Sequence, residues 1–128
     1  MNRQLIFSGS PYEAALGYCR AVRVGDRVLV AGTAPIMPDG ADPPSDSYGQ
    51  TRRCIEIIEQ ALVDAGGSLA DVVRTRTYLT SVAAFDGFGR AHGEAFREIR
   101  PVNTTVVVAE LIDPRWLVEI EAEAVLAH

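Results

Sequence analysis

Residues 101–124 read PVNTTVVVAELIDPRWLVEIEAEA, and two strands can be read in this stretch. Residues 103–111 are rich in Thr and Val, the β-branched residues that fit a pleated surface. Residues 117–125 alternate strictly, with Val118, Ile120, Ala122 and Ala124 on one face and Glu119, Glu121 and Glu123 on the other. A period of two with one apolar face is a half-buried strand. Asp113 and Pro114 break the pattern and mark a connecting turn. Three carboxylates along one strand face need water, a binding cavity or basic partners, because unpaired carboxylates are costly to bury. A site is expected there.

Upstream, residues 72–80 alternate again, with Val73, Thr75, Thr77 and Leu79 opposing Val72, Arg74, Arg76, Tyr78 and Thr80. A helix is expected over 82–99, with a stripe of Phe85, Phe88, His92, Ala95 or Phe96, and Ile99. Gly89 and Gly93 interrupt it at about 1 kcal/mol each, so packing must outweigh them or they admit a close backbone approach. Arg100-Pro101 ends it, because a residue before Pro is pushed out of the α region.

An earlier helix is capped by Ser45 or Asp46 and carries Tyr48, Thr51, Ile55, Ile58 and Leu62 on its apolar stripe, with Gln50, Arg52, Arg53, Glu56, Glu59 and Gln60 on its wet side. Gly66-Gly67 ends it. Gly25-Asp26 joins residues 18–24 and 27–34 as an antiparallel hairpin, and the apolar run 28–30 suits a strand covered on both faces. Residues 3–7 read as a short first strand, and 9–17 and 35–44 as loops.

The order is β-β-β-α-β-α-β-β: an α+β domain spanning 1–128, built on a single mixed sheet with both helices on one face. The other face carries Arg74, Arg76, Glu119 and Glu121 among Thr and Val, half charged and half apolar. Such a face calls for cover by a partner subunit, so a homo-oligomer is expected.

With 128 residues, 48% apolar and 23% charged, the chain suits one soluble domain. A net charge of −5 argues against nucleic-acid binding, which draws most of its affinity from phosphate contacts. No apolar run nears the ~20 residues that span a bilayer, and Leu5–Phe7 is too brief for a signal peptide core. Cys19 and Cys54 form no spacing motif, so two free thiols in a reducing cytoplasm is the plainer reading. No metal-ligand spacing and no phosphate loop appear, and no cofactor is expected.

Four segments resemble the YjgF/RidA family, the reactive-intermediate deaminases also known as endoribonuclease L-PSP. Residues 17–22, GYCRAV, are similar to a GPYSQAV strand; residues 28–35, VLVAGTAP, to an ITSGQIP segment; residues 72–80, VVRTRTYLT, to a DVVKTTVYLT strand; and RP at 100–101 through VEIEA at 118–122 to a closing RPARS…VEIEA signature. The resemblance implies a chorismate-mutase-like fold and a trimer with ligand pockets between subunits. Tyr18 matches a pocket tyrosine, and Glu119 the acid that positions an attacking water. The family's pocket serine falls on Ala31, beside Gly32, and its pocket asparagine near Gly89. The arginine that grips the substrate carboxylate falls on Asn103. An Asn is neutral and offers no bidentate charged fork. The resemblance therefore implies a substrate without an α-carboxylate, or another anchor among Arg76, Arg74, Arg20 and Arg100.

Each site residue has a plainer alternative. Glu119 is a general acid or base with a pKa raised in a cleft, or a partner of Arg74 or Arg76. Asn103 is a pocket amide or closes a turn, and Tyr18 is a pocket wall or a core aromatic. His92 is packed and hydrogen-bonded, or borders the cleft. Cys19, if Tyr18 faces the cleft, is buried and inert. The expected activity is cofactor-independent hydrolysis of a small imine, enamine or related C–N metabolite by Glu119, Tyr18 and Asn103, with Ala31, Gly32, Gly89, His92 and Arg76 around the substrate. The alternatives are a non-catalytic metabolite binder and, against the acidic charge, a ribonuclease or translation inhibitor.

Overall fold

The computed structural model describes residues 2–127. Six strands form one sheet: β1 (Arg3–Ile6), β2 (Ala21–Val24), β3 (Arg27–Thr33), β4 (Val72–Leu79), β5 (Val102–Val107) and β6 (Val118–Val125). Their order is β1-β2-β3-β6-β4-β5. All pairs are antiparallel except β4 with β5. The helices are α1 (Pro11–Leu16), α2 (Ser47–Asp64) and α3 (Phe85–Phe96). Both β3 and β4 run antiparallel to β6, and β4 is parallel to β5, so the α2 and α3 crossovers each join parallel strands, as helical connections do.

The core lies between the sheet and α2 and α3. Val28, Val118 and Ile120 from the strands and Ile58 and Leu62 from α2 are fully buried. Asp46, not Ser45, caps α2, its carboxylate accepting from the Gly49 N–H at 2.9 Å.

Several sequence expectations are corrected. Residues 11–16, read as loop, form α1. Six residues are too few to show a helical period, but Ser10-Pro11-Tyr12-Glu13 carries the Ser-x-x-Glu start signal with Pro at the first helical position. The strand expected from Tyr18 begins only at Ala21. The strand expected over 103–111 ends at Val107, because its partner β4 ends at the paired Leu79. The helix expected from Val82 opens as a 3-10 turn and becomes α-helical at Phe85.

Gln50, assigned to the wet side of α2, is buried. Its amide donates to Pro44 O and Arg115 O and accepts from the Leu117 N–H, which ties α2 to the approach to β6. Leu29 is 41% exposed, so in the single chain β3 is covered on one face only. A register shift between Val72 and Arg74 exchanges the expected faces of two valines: Val72 is buried and Val73 exposed. Helix α3 tolerates close approach at Gly87, where a Cβ would meet the Tyr48 backbone nitrogen at 2.9 Å, and not at Gly89, which faces open space.

Candidate functional site

Strand β6 fills the centre of the sheet and presents its three carboxylates on the uncovered face, opposite Tyr78, Arg76 and Arg74 of β4. Two of the three are paired. Arg76 Nη1 lies 3.4 Å from both Glu121 Oε2 and Glu123 Oε1. The Tyr78 hydroxyl donates to Glu121. Arg27 and Arg74 also approach Glu123, at 3.7 and 3.9 Å. Glu119 makes no hydrogen bond or ion pair among the described residues. The pairing with Arg74 or Arg76 that would have explained it goes to its neighbours instead. Burial pushes the Glu119 carboxyl pKa up; the Arg20 charge opposes this and the Glu121 charge adds to it.

A bulge shapes the space beside Glu119. Between Val30↔Ala122 and Thr33↔Ile120, β3 spends two residues, Ala31 and Gly32, against one of β6. A Cβ on Gly32 would sit 2.5 Å from Glu119 Oε2, so glycine leaves room for the carboxylate to lie against the strand.

Arg20 braces this bulge. Its Nη1 donates to Gly32 O at 2.7 Å and Thr33 Oγ1 at 3.1 Å. Its guanidinium lies 5.6 Å from the centre of the Tyr18 ring. Arg20 itself is buried, as is its partner Glu13, with Nε to Oε2 at 3.2 Å. Glu13 accepts two further hydrogen bonds from Ser8, through the N–H and the hydroxyl. Burial works against ionisation of Glu13, but the hydrogen bonds from Ser8 and Arg20 outweigh it and hold the carboxyl below its usual range. The sequence reading missed Glu13 because it lies in the unrecognised helix; it had Arg20 only as a possible anchor.

The expected site residues divide between the two faces of the sheet. Glu119, Gly32, Ala31 and Arg76 share the open face, while the Tyr18 side chain contacts Arg20, its hydroxyl 3.5 Å from Nη2. Asn103 and His92 lie on the helix-covered face. Asn103 Nδ2 donates to Thr75 Oγ1 at 3.0 Å and lies 3.4 Å from Thr77 Oγ1, while its Oδ1 accepts from Thr105. His92 Nε2 bonds the same Thr75 hydroxyl at 2.9 Å, its ring between Phe88 and Phe96 at 5.2 and 4.6 Å. Burial lowers its pKa. Within one chain neither residue reaches Glu119, and Gly89 is exposed away from both groups.

Cys19, expected to be buried, is half-exposed and lines a shallow hollow of about 320 Å³ on the open face with Val22, Leu29, Ala31, Glu121 and Glu123. Cys54 is the buried thiol, its pKa driven up by burial and by the charge of Glu119. Arg74 is held by Glu123, and Arg100 by its own helix end through Arg97 O. Among the described residues no His, Cys, Asp and Glu cluster is placed to hold a metal ion, and no helix is long and apolar enough to cross a membrane.

A family model described as Endoribonuclease L-PSP matches residues 8–126. The crystal structure of Rv2704 from Mycobacterium tuberculosis, a member of the YjgF/YER057c/UK114 family, is 46% identical, with a TM-score of 0.89 over 98% of this chain and 100% of that one. The 3-aminoacrylate deaminase RutC of Acinetobacter baylyi is 32% identical over 126 residues, covering 97% of this chain and 98% of its own. The structure of E. coli TdcF with bound serine is 26% identical, with a TM-score of 0.81 over 96% of this chain and 94% of that one. A match over nearly the whole length, on a sheet and helices of the same arrangement, leads to one assignment: the chain belongs to the endoribonuclease L-PSP family, also called YjgF/RidA.

Proposed function

We propose that this protein hydrolyses the C–N bond of a small imine, enamine or related metabolite, in a cleft that the open sheet face forms with a neighbouring subunit of a homotrimer. The observation that carries this reading is that Glu119, alone of the three β6 carboxylates, is half-buried and unpaired. A carboxyl with a raised pKa can hold a proton near the imine nitrogen and, once ionised, take one from water. Water then adds across C=N to give a carbinolamine, which collapses to a carbonyl compound and ammonia. Tyr18, Ala31 and Gly32 shape the space around the reacting carbon, with Arg76 further along the same face. The deaminase activity named for the RutC relative supports the reaction class.

Asn103 lies on β5, an edge of the sheet, so it contributes to the same cleft only from a neighbouring subunit. There it offers a neutral amide where the family carries an arginine, which favours substrates without an α-carboxylate. The open face is suited to cover: Leu5, Leu29, Val102 and Val106, all more than 40% exposed, flank the charged centre. Sedimentation equilibrium should give three times the chain mass, and a monomer at micromolar concentration would remove the cleft.

The test generates imines in situ with an amino-acid oxidase and follows ammonia release. Wild type should favour imines lacking a carboxylate, and Asn103→Arg should gain activity on 2-imino acids. Gly32→Ala should lower turnover with little loss of stability, since the added methyl displaces only the end of the Glu119 side chain; equal thermal melts with unequal rates would show it. The second reading is metabolite binding without chemistry, favoured by the serine held in TdcF. Saturable binding of a small metabolite with no ammonia release from any imine would select it.

A further inference from the structure

Arg20 and Thr33 also line a second, deeper space that includes none of Tyr18, Gly32 and Glu119. It lies between α1, the loop after β3, α2 and the turn before β6, and encloses about 570 Å³, within the roughly 300–1,000 Å³ typical of ligand pockets. Tyr12 and Trp116 meet edge-to-face on its wall, with ring centres 5.8 Å apart. Pro35, Ile36 and Ile57 add apolar surface.

The three arginines around it are already paired, and the one carboxylate on its wall without a partner among the described residues, Asp39, is exposed to solvent at the rim. Arg20 is neutralised by Glu13, and Arg53 lies 3.6 Å from Glu56 while donating to Ile36 O. Arg115 lies 2.8 Å from both Asp113 and Asp42. The wall therefore offers no spare cation to an anionic ligand. What it offers is an indole. Trp116 is only 6% exposed, yet its N–H has no hydrogen-bond partner among the described residues. Buried tryptophans usually find one. Of the described side chains only the Thr51 hydroxyl is both sealed from solvent and unpartnered, so the indole N–H keeps an opening, and the cavity is the space Trp116 lines.

We propose that this cavity binds a small, flat, uncharged aromatic or heteroaromatic molecule, held against Tyr12 and Trp116, with a carbonyl or ring-nitrogen acceptor on the indole N–H. This goes beyond the reading of Glu119 and does not depend on it. The sequence contains one tryptophan, so a ¹⁵N-labelled sample gives one indole N–H resonance, a direct probe of the site. Titration with benzamide should move that resonance saturably. Benzoate, of the same shape but charged, and cyclohexanecarboxamide, which has the acceptor but no ring face, should each bind several-fold more weakly. Trp116→Phe, followed by saturation-transfer signals from the benzamide, should weaken binding about fivefold, the worth of one neutral hydrogen bond. An unmoved indole resonance, benzoate binding as tightly as benzamide, or an unchanged affinity in Trp116→Phe would each overturn the proposal. The wild-type titration decides alone if Trp116→Phe does not fold. Because the readout is binding at Trp116 and not ammonia release, it stands or falls separately from the deaminase reading.

Discussion

Glu119→Gln is expected to lower ammonia release by about 10²–10⁴-fold, the usual worth of a positioned acid–base group. Glutamine keeps the shape that Gly32 accommodates but cannot exchange a proton. The pH profile adds a second check. If the ionised carboxylate takes the proton from water, the wild-type rate falls as pH drops through the Glu119 pKa, and that limb lies above the ordinary carboxylate range because burial raises the pKa. The residual rate of Glu119→Gln should lack the limb. The stability sign runs opposite to that of a structural carboxylate. With the folded pKa raised, the favourable contribution is present below the unfolded pKa and is lost as pH rises through the folded one. At neutral pH the ionised Glu119 therefore works against folding, and urea melts of Glu119→Gln should show stability equal to or above wild type. A clear loss at pH 7 would mean that the carboxylate serves the fold.

Arg20→Met should be the most destabilising single change at the site, by about 3–5 kcal/mol, because it leaves the Glu13 carboxylate buried without its cation. The paired change Glu13→Gln with Arg20→Met should recover part of this, since it removes both charges. Here the linkage has the usual carboxylate sign. Glu13 is held below its ordinary range, so its contribution is present above the unfolded pKa and lost as pH falls through the folded one. Urea melts from neutral to acid pH should show wild type losing more stability than Arg20→Met. Arg20 also lowers the Glu119 pKa, so the acid limb of any activity that survives in Arg20→Met should move to higher pH. An unchanged limb would separate the buried pair from the site.

The architecture was legible where a long segment kept one period. The alternation of β6 and the stripe of α2 both survive into the structure, as does the Gly25-Asp26 hairpin. What escaped has specific causes. Bulges are invisible to alternation, so Val72 and Val73 exchanged faces, and the doubled Ala31-Gly32 that makes room for Glu119 was seen only as a family segment. Gln50 was put on the wet side by residue type, though its amide satisfies three backbone groups. Glu119 stood out as one of three acids, but its lack of a partner depends on strand register, which gives Arg76 to Glu121 and Glu123. Asn103 and His92 were joined to it through the resemblance alone, and a sheet lies between them.

The sheet order has a kinetic consequence. The last strand in the chain sits in the middle, so β1–β2–β3 and β4–β5 share no ladder until β6 inserts between them. Most pairings in the centre are therefore distant in sequence, the high-contact-order case in which loop closure precedes its reward and folding is slow. During synthesis the earlier strands must wait with open edges, and pulsed hydrogen exchange should find the amides of β3 and β4 becoming protected together, not in order of translation.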